Sequence, residues 1–229
     1  MLPTQTYTSE DVVQAARRRI AFVFDHFETI HVSISGGKDS TILAYLTLQE
    51  ARRRGRRVGI FFLDEEVVYD ATIRQVEYIM EQMAPGYVTP LWLQFPPWDR
   101  KTEIVTDRHK GLDFYDVFAN FERCYTNTAF LVGLRGVESP NRWRTMVKHP
   151  VEIGGRRVYW STQKGANVSL YPLYDWNLHD VWRFTFEEGL PYHPVYDFQF
   201  RKGTPLNEMR ISSLIHERSF KALVDLPEF

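Results

Sequence analysis

The sequence predicts an α/β fold, a single domain with a mostly parallel twisted sheet flanked by helices. Three observations support this fold class. Short apolar runs alternate with segments of helical periodicity along the 229 residues. The run 58–63 is almost continuously apolar, which is typical of a strand buried on both faces. No repeat, low-complexity tract or Gly/Ser-rich linker divides the chain, so we assign residues 1–229 to one domain.

The predicted elements alternate between helix and strand. Residues 8–11 carry a capping signal, and the apolar residues of 12–24 recur with helical spacing. The strands that we predict are 29–34, 58–63, 87–93 and 129–134, and the later helices are 41–54, 70–83 and 178–188. Asn177 is the predicted N-cap of the last helix. Because ligands of parallel sheets bind beyond the carboxyl ends of the strands, we expect the site there.

Composition excludes several classes of function. The formal net charge of −1 gives no overall field for nucleic acid or an anionic membrane. The basic runs 17–19 and 52–57 fall at predicted helix ends, where they complement the helix dipole. A single cysteine, Cys124, excludes an intrachain disulfide, a Cys-rich zinc site and a four-cysteine iron–sulfur cluster. No apolar run could span a bilayer and the N-terminus lacks signal-peptide order, so we expect a cytoplasmic protein.

The most informative segment lies between the first strand and the next helix, and it reads Ser35, Gly36, Gly37, Lys38, Asp39 and Ser40. Adjacent glycines let successive backbone N–H groups point inward as an anion-binding nest, beside the positive end of the following helix. The serines, together with Ser33 on the strand, offer hydroxyl groups, and Lys38 offers a mobile positive charge. Asp39 suits a Mg²⁺ ion that bridges phosphates, or the cap of the helix. A tight strand-to-helix turn is the alternative interpretation; the spacing is not that of a Walker A loop.

Ser-Gly-Gly-Lys-Asp-Ser-Thr at 35–41 resembles the PP-loop of the ATP pyrophosphatase superfamily, which has the adenine nucleotide alpha hydrolase fold. Members grip the pyrophosphate of ATP and transfer AMP to a substrate oxygen. The resemblance therefore implies an adenine nucleotide ligand, ATP or a relative such as phosphoadenosine phosphosulfate (PAPS), together with Mg²⁺.

A second segment, 132–142, resembles the Gly-Leu/Ile-Arg-x-x-Glu-Ser-x-x-Arg sequence of PAPS reductase-like proteins through Gly133, Arg135, Glu138 and Arg142. Arg135 follows a predicted strand, where a guanidinium can meet phosphate or sulfate oxygens bidentately. The alternative for Glu138 and Arg142 is an ion pair on one helix face, four residues apart.

Two further segments extend the resemblance to about residues 28–200. Residues 171–182 are similar to the family's Tyr-Pro-Leu/Ile-x-Asp-Trp…Asp-Val-Trp sequence, whose aromatic residues we expect mainly in the core. Asp175 and Asp180 are interpreted first as groups that fix a loop and a helix start. Asp64 follows the second strand, where this family lines the adenosine; it could contact ribose or Mg²⁺, or cap the next helix.

The chain departs from the reductases in its sulfur chemistry. The Glu-Cys-Gly-Leu-His tail that supplies their nucleophile is absent, and Cys124 lies before the anion-binding segment. The resemblance narrows to prophage-associated reductase-like proteins encoded beside a ParB-like partner, whose tail is similar to Tyr196-Asp197…Gly203…Arg210. It implies a ParB-like partner, a host cytoplasm if the gene is phage-borne, and no iron–sulfur cluster.

Three functions follow as hypotheses. The first is Mg-ATP-dependent adenylation of an acceptor, with Lys38, Asp39 and Arg135 as catalytic residues. The second is a sulfonucleotide reductase that uses Cys124 or a partner's thiol, and the third is a non-catalytic nucleotide-binding regulator. His149, His179 and His193 are candidate bases by residue type alone. A homo-oligomer stays open, and the sequence of 201–229 leaves room for a longer natural chain.

Overall fold

The computed structural model describes residues 9–66, 68–96 and 112–211. Thr8 of the predicted cap and the end of the chain from 212 onward lie outside these residues. The helices are α1 (Val12–His26), α2 (Lys38–Arg54), α3 (Asp70–Glu77), α4 (Phe114–Arg123), α5 (Pro140–Val147), α6 (Leu178–Glu187) and α7 (Val195–Arg201). The strands are β1 (Thr29–Ile34), β2 (Val58–Asp64), β3 (Val88–Gln94), β4 (Thr128–Leu131), β5 (Val151–Ile153), β6 (Arg156–Val158), β7 (Ser161–Lys164) and β8 (Asn167–Leu170).

Six strands form one sheet in the order β3-β2-β1-β4-β8-β7. The first five are parallel and β7 runs antiparallel at the edge. β1, β2 and β3 succeed one another to one side, whereas β4 lies on the other side of β1. The strand order therefore reverses between β1 and β4, and a crevice opens beyond their carboxyl ends. The predicted α/β class is confirmed.

Alternate residues of the central strands pack into two layers. Ile30, Val32 and Ile34 of β1 join the large core cluster that also includes α1, α2 and α6. The opposite face carries a smaller aromatic cluster, in which Phe61 and Phe130 pack against α4. Both faces of β2 are thus covered, which explains its almost continuously apolar sequence.

The predicted elements differ from the structure at several places. β4 ends at Leu131 rather than at residue 134, because Leu134 N–H bonds to Val132 O and the chain turns out of the sheet. The predicted helix 70–83 changes to a π-helical turn at Tyr78–Gln82. The basic run 17–19 lies inside α1 rather than at its end.

The other basic run is occupied by structural contacts. Arg56 donates hydrogen bonds of 2.7 Å to the carbonyl oxygens of Phe24, Phe27 and Glu28, at the end of α1. Arg57 donates to Val88 O at 2.6 Å. These guanidinium groups tie the helix end and a strand start together. Within the described part of the chain, no helix is long and apolar enough to cross a membrane.

Candidate functional site

A cleft of about 1060 Å³ opens at the carboxyl ends of β1 and β4. Its floor is the 35–40 loop, and the segment after β4 forms one wall. Residues 206–211 line the cleft from the C-terminal side. Among the described lining residues five are cationic (Lys38, Arg135, Arg142, Lys164, Arg210) and three are acidic (Asp39, Glu138, Glu208), so the cleft favours an anion.

The loop has a glycine-dependent backbone. Gly36 has φ +70°, and a Cβ there would lie 3.0 Å from Thr72 Cγ2, so a side chain would be strained twice. Gly37 is the N-cap of α2 and makes no side-chain cap bond. Ser40 Oγ donates to Gly37 O at 3.0 Å and accepts from Ser35 N at 3.1 Å, which closes the loop on itself. The backbone N–H groups of Asp39 and Ser40 in the first turn of α2 are left to bind an anion.

Lys38 is held in the floor of the cleft with 5% of its surface exposed. Its Nζ lies 3.1 Å from Asp39 Oδ2 and 5.0 Å from the centre of the Tyr196 ring. Burial lowers the pKa of Lys38, and the Asp39 carboxylate opposes this by favouring the charged form. The backbone N–H of Lys38 donates to the Tyr196 hydroxyl at 3.4 Å. Burial raises the pKa of Tyr196, so this phenol stays neutral.

A chain of alternating charges joins the loop to the wall after β4. Arg135 is buried, with Nε 2.6 Å from Asp39 Oδ1 and a terminal nitrogen 3.2 Å from Glu138 Oε1. Glu138 also pairs with Arg142. The Arg135–Asp39 contact is an ion pair without hydrogen-bond geometry, and both of its atoms are buried from solvent. Gly133 allows the wall to approach, since a Cβ there would lie 3.1 Å from the Asp39 backbone.

The donor set suits a magnesium ion carried by a nucleotide. Asp39 is the one carboxylate within the 35–40 loop, and its two oxygens face Lys38 and Arg135. Within the described chain no group of three or more His, Cys, Asp or Glu residues could hold a metal. Mg²⁺ commonly takes only one or two carboxylates and fills its other positions with phosphate oxygens and water. Asp39 fits that arrangement as the protein's ligand.

Ten of the twelve predicted site residues line the cleft: Ser33, Ser35, Gly37, Lys38, Asp39, Ser40, Gly133, Arg135, Glu138 and Arg142. Gly36 shapes the loop from behind, against Thr72. Asp64 is not among the described lining residues. It is buried, and its carboxylate accepts from Glu66 N at 2.9 Å and from Trp92 Nε1 at 2.8 Å. These contacts fix the loop after β2, and the N-cap of α3 is Tyr69.

The cleft is also lined by polar residues that the sequence did not mark as site residues, among them Lys164, Tyr196 and Arg210. Gln199 holds the Arg210 backbone, because its side-chain amide donates to Arg210 O at 3.0 Å and accepts from Arg210 N at 3.1 Å. Burial lowers the pKa of Arg142, and the nearby Arg210 charge lowers it further. The only sequence signal for Tyr196 and Arg210 is the resemblance of the 196–210 tail.

Cys124 lies at the amino ends of the parallel strands, opposite the cleft. It ends α4, four residues before β4 begins, and its thiol is exposed and free. The neighbouring Tyr125 O accepts from Asn167 Nδ2, at the amino end of β8. Parallel strands share their amino ends, so Cys124 faces away from the cleft.

The remaining motif residues have structural contacts. Asp175 accepts a bidentate pair from Arg19 at 2.8 and 2.5 Å, and Asp180 completes a capping box with Asn177, as the sequence predicted. His193 is buried between Thr72 Oγ1 and Val195 N, each 3.1 Å from a ring nitrogen. Burial lowers its pKa to about 4, so it braces Thr72 and the loop as a neutral imidazole.

A family model described as the phosphoadenosine phosphosulfate reductase domain matches residues 29–202. YbdN of Escherichia coli (strain K12) is 26% identical over 88% of this chain and 58% of YbdN, so the chain spans less than two thirds of that relative. The adenosine 5'-phosphosulfate reductase of Bacillus pumilus (strain SAFR-032) is 23% identical over 85% of this chain and 80% of the reductase.

A solved structure of Candida glabrata FMN adenylyltransferase, with FAD and inorganic pyrophosphate, matches with a TM-score of 0.53 and 18% identity. The match covers 84% of this chain and 63% of the adenylyltransferase chain. At 18% identity, this likeness establishes only that the two proteins share a fold. The family match includes the 35–40 loop and the wall after β4. The predicted PAPS reductase-like PP-loop family is thereby confirmed: the chain belongs to the phosphoadenosine phosphosulfate reductase domain family.

Proposed function

We propose that the chain binds Mg-ATP in the cleft and transfers AMP to an acceptor with release of pyrophosphate. One observation carries this proposal. The N-terminus of α2 opens onto a cationic cleft through a Gly36-Gly37 floor that has no side chain, and its N-cap makes no side-chain bond. The absence of side chains leaves room for a polyphosphate against the loop amides, and the helix dipole favours its charge.

The proposed chemistry assigns a task to each charged group. An acceptor oxygen attacks the α-phosphorus while the bond to the β-phosphate oxygen breaks. Lys38 and the loop amides stabilise the charge that develops on the departing pyrophosphate. Arg135, anchored between Asp39 and Glu138, orients the α-phosphate from the wall of the cleft. Asp39 would hold the magnesium ion that accompanies ATP, and that ion would supply positive charge to neutralise the phosphates.

The reductase alternative requires a thiol at the nucleotide. Cys124 is a poor candidate because it lies at the amino edge of the sheet, away from the cleft. The reductase alternative therefore requires a thiol supplied by a partner protein. A ParB-like partner and a phage origin stay predictions.

The test is product analysis with ATP labelled at the α-phosphate. Adenylyl chemistry gives labelled AMP and pyrophosphate, whereas hydrolysis at the γ-phosphate gives ADP and phosphate. We expect Lys38→Ala and Arg135→Ala to lower AMP formation about 100-fold or more, as loss of an electrostatic catalytic group does. The exposed Arg53→Ala, outside the cleft, is the matched control and should retain activity.

Two results would contradict the proposal. Tight ATP binding without pyrophosphate, across a panel of hydroxyl, carboxylate and phosphate acceptors, would favour a nucleotide-binding regulator. Thiol-dependent sulfite release from PAPS would favour the reductase, and its loss in Cys124→Ser would place the nucleophile in this chain.

A further inference from the structure

A segment with a strong excess of basic residues lies beside the cleft. Segment 140–164 comprises α5, the β5–β6 hairpin and β7, and it contains six Lys or Arg residues and one acidic residue, Glu152. The whole chain has a net charge of −1, so the average conceals a local excess of cations. We call this segment the basic excursion.

The basic excursion lines the cleft at both of its ends and has exposed residues in between. Its first and last cations, Arg142 and Lys164, line the cleft, and those between them lie on the exposed surface. α5 and the hairpin pack against β7, where Val151 N donates to Ser161 Oγ at 3.2 Å. β7 is in turn paired with β8 at the edge of the sheet, so the basic excursion is anchored to the sheet.

Four exposed cations of the excursion have no ion-pair partner among the described residues: Arg144, Lys148, Arg156 and Arg157. This distinguishes them from the other basic run, where Arg53 and Arg54 pair with Glu50 and Arg56 caps α1. A solvated, unpaired cluster of this kind attracts an extended polyanion. Arg144 and Lys148, four residues apart, share one side of α5.

Exposed aromatic rings accompany the cations. Tyr115 is 76% exposed at the rim of the cleft, near Arg142, and it contacts Phe114, which is 40% exposed. Tyr159 is 41% exposed and follows the hairpin. Nucleobases stack on such rings while basic residues follow the phosphate backbone.

We propose that the basic excursion and Tyr115 bind a single-stranded polynucleotide and direct it into the cleft. Binding by this surface stands independently, whereas the role of the polynucleotide as acceptor rests on the proposed function. In that role an oxygen of the polynucleotide bonds to the α-phosphorus of ATP as the bond to the β-phosphate oxygen breaks. Pyrophosphate leaves with that electron pair, and a hydroxyl acceptor releases its proton to water.

The test is fluorescence anisotropy with labelled strands of about 20 nucleotides, longer than a typical single-domain site. Three probes are compared: single-stranded DNA, RNA of the same sequence and duplex DNA. They share a phosphate backbone, so differences in affinity show which kind of polynucleotide the surface prefers. Three double or single variants are compared with wild type: Arg144→Gln with Lys148→Gln, Arg156→Gln with Arg157→Gln, and Tyr115→Ala. The control, Arg52→Gln with Arg53→Gln, removes two charges at the far end of α2, roughly 21 Å from its start.

We expect saturable binding of a single strand at low salt. Each excursion double variant should weaken it about fivefold or more and reduce the slope of log K against log salt by about 1.4, for two lost phosphate contacts. Tyr115→Ala should weaken binding with little change in that slope, because stacking releases no counterions. The control pair should change the affinity by less than about twofold, since its charges lie far from the cleft.

Three outcomes would overturn the surface: no saturable binding at low salt, an equal loss in the control pair, or equally effective competition by polyglutamate, which would indicate an acidic protein. Labelled AMP on the bound strand would support the acceptor role. Binding without labelling would overturn that role, and release of pyrophosphate from ATP without binding would overturn the surface while sparing the proposed function.

Discussion

His31 makes the folding stability of this protein depend on pH. It lies in the middle of β1 with 6% exposure, and rings of Phe121, Tyr125 and Phe130 surround it. Neither ring nitrogen has a hydrogen-bond partner in the described structure. Gly59 makes room for the ring on the adjacent strand, where a Cβ would lie 1.9 Å from Nδ1.

The magnitude follows from the pKa of this imidazole. Burial lowers it from 6.5 to about 4, so the unfolded chain binds a proton that the native protein excludes. The contribution of neutral His31 is fully present above pH 6.5 and is lost as the pH falls toward 4. At pH 5 the loss is about 2 kcal/mol, from linkage between the two pKa values.

The assay is urea denaturation at pH 7.5 and pH 5, for wild type, His31→Leu and the exposed control His149→Leu. We expect the drop in unfolding free energy between the two pH values to be about 2 kcal/mol smaller in His31→Leu than in wild type. Other groups contribute equally to both proteins and cancel. The control should retain the wild-type drop. An undiminished drop in His31→Leu would refute the reasoning, because it would place the pH dependence elsewhere.

Three further variants test the site and its frame. Gly133→Ala would place a Cβ 3.1 Å from the Asp39 backbone, so it should weaken ATP binding about tenfold in calorimetry; unchanged affinity would show that the wall does not need this approach. Arg210→Ala should weaken pyrophosphate binding several-fold and leave adenosine binding intact, and an equal loss for both ligands would contradict a phosphate contact. Asn177→Ala should lower the unfolding free energy in urea by about 1 kcal/mol through loss of the capping box, and no change would contradict it.

The sequence predicts the parts of this fold that depend on local signals. β1 follows from a short run of residues that favour strands, and β2 follows from an apolar run that marks burial on both faces. The start of α6 follows from Asn177, because capping depends on adjacent residues. The Gly36-Gly37 pair likewise marks the loop, because the positive φ of Gly36 is a local requirement. The chain order of these signals was sufficient to predict the sheet class.

The features that were missed depend on distant residues. β7 has four residues, all polar, and β8 has four of mixed polarity. β5 and β6 have only three residues each, too short for a period to stand out. The pairing of Asp39 with Arg135 brings together residues from two crossovers, and Arg210 reaches the cleft through its contact with Gln199. Asp64 stands at the end of a parallel strand, as site residues do, but its carboxylate accepts a hydrogen bond from Trp92 on β3.

The most direct test of the central claim is calorimetric titration of ATP and adenosine against wild type and Lys38→Ala. A loop that binds the phosphates should give ATP at least about 100-fold tighter binding than adenosine, a difference of about 2.7 kcal/mol. Lys38→Ala should remove most of that difference while leaving adenosine binding unchanged. Equal affinities for ATP and adenosine in wild type, or an undiminished preference in Lys38→Ala, would contradict the claim that the 35–40 loop binds the phosphates of ATP.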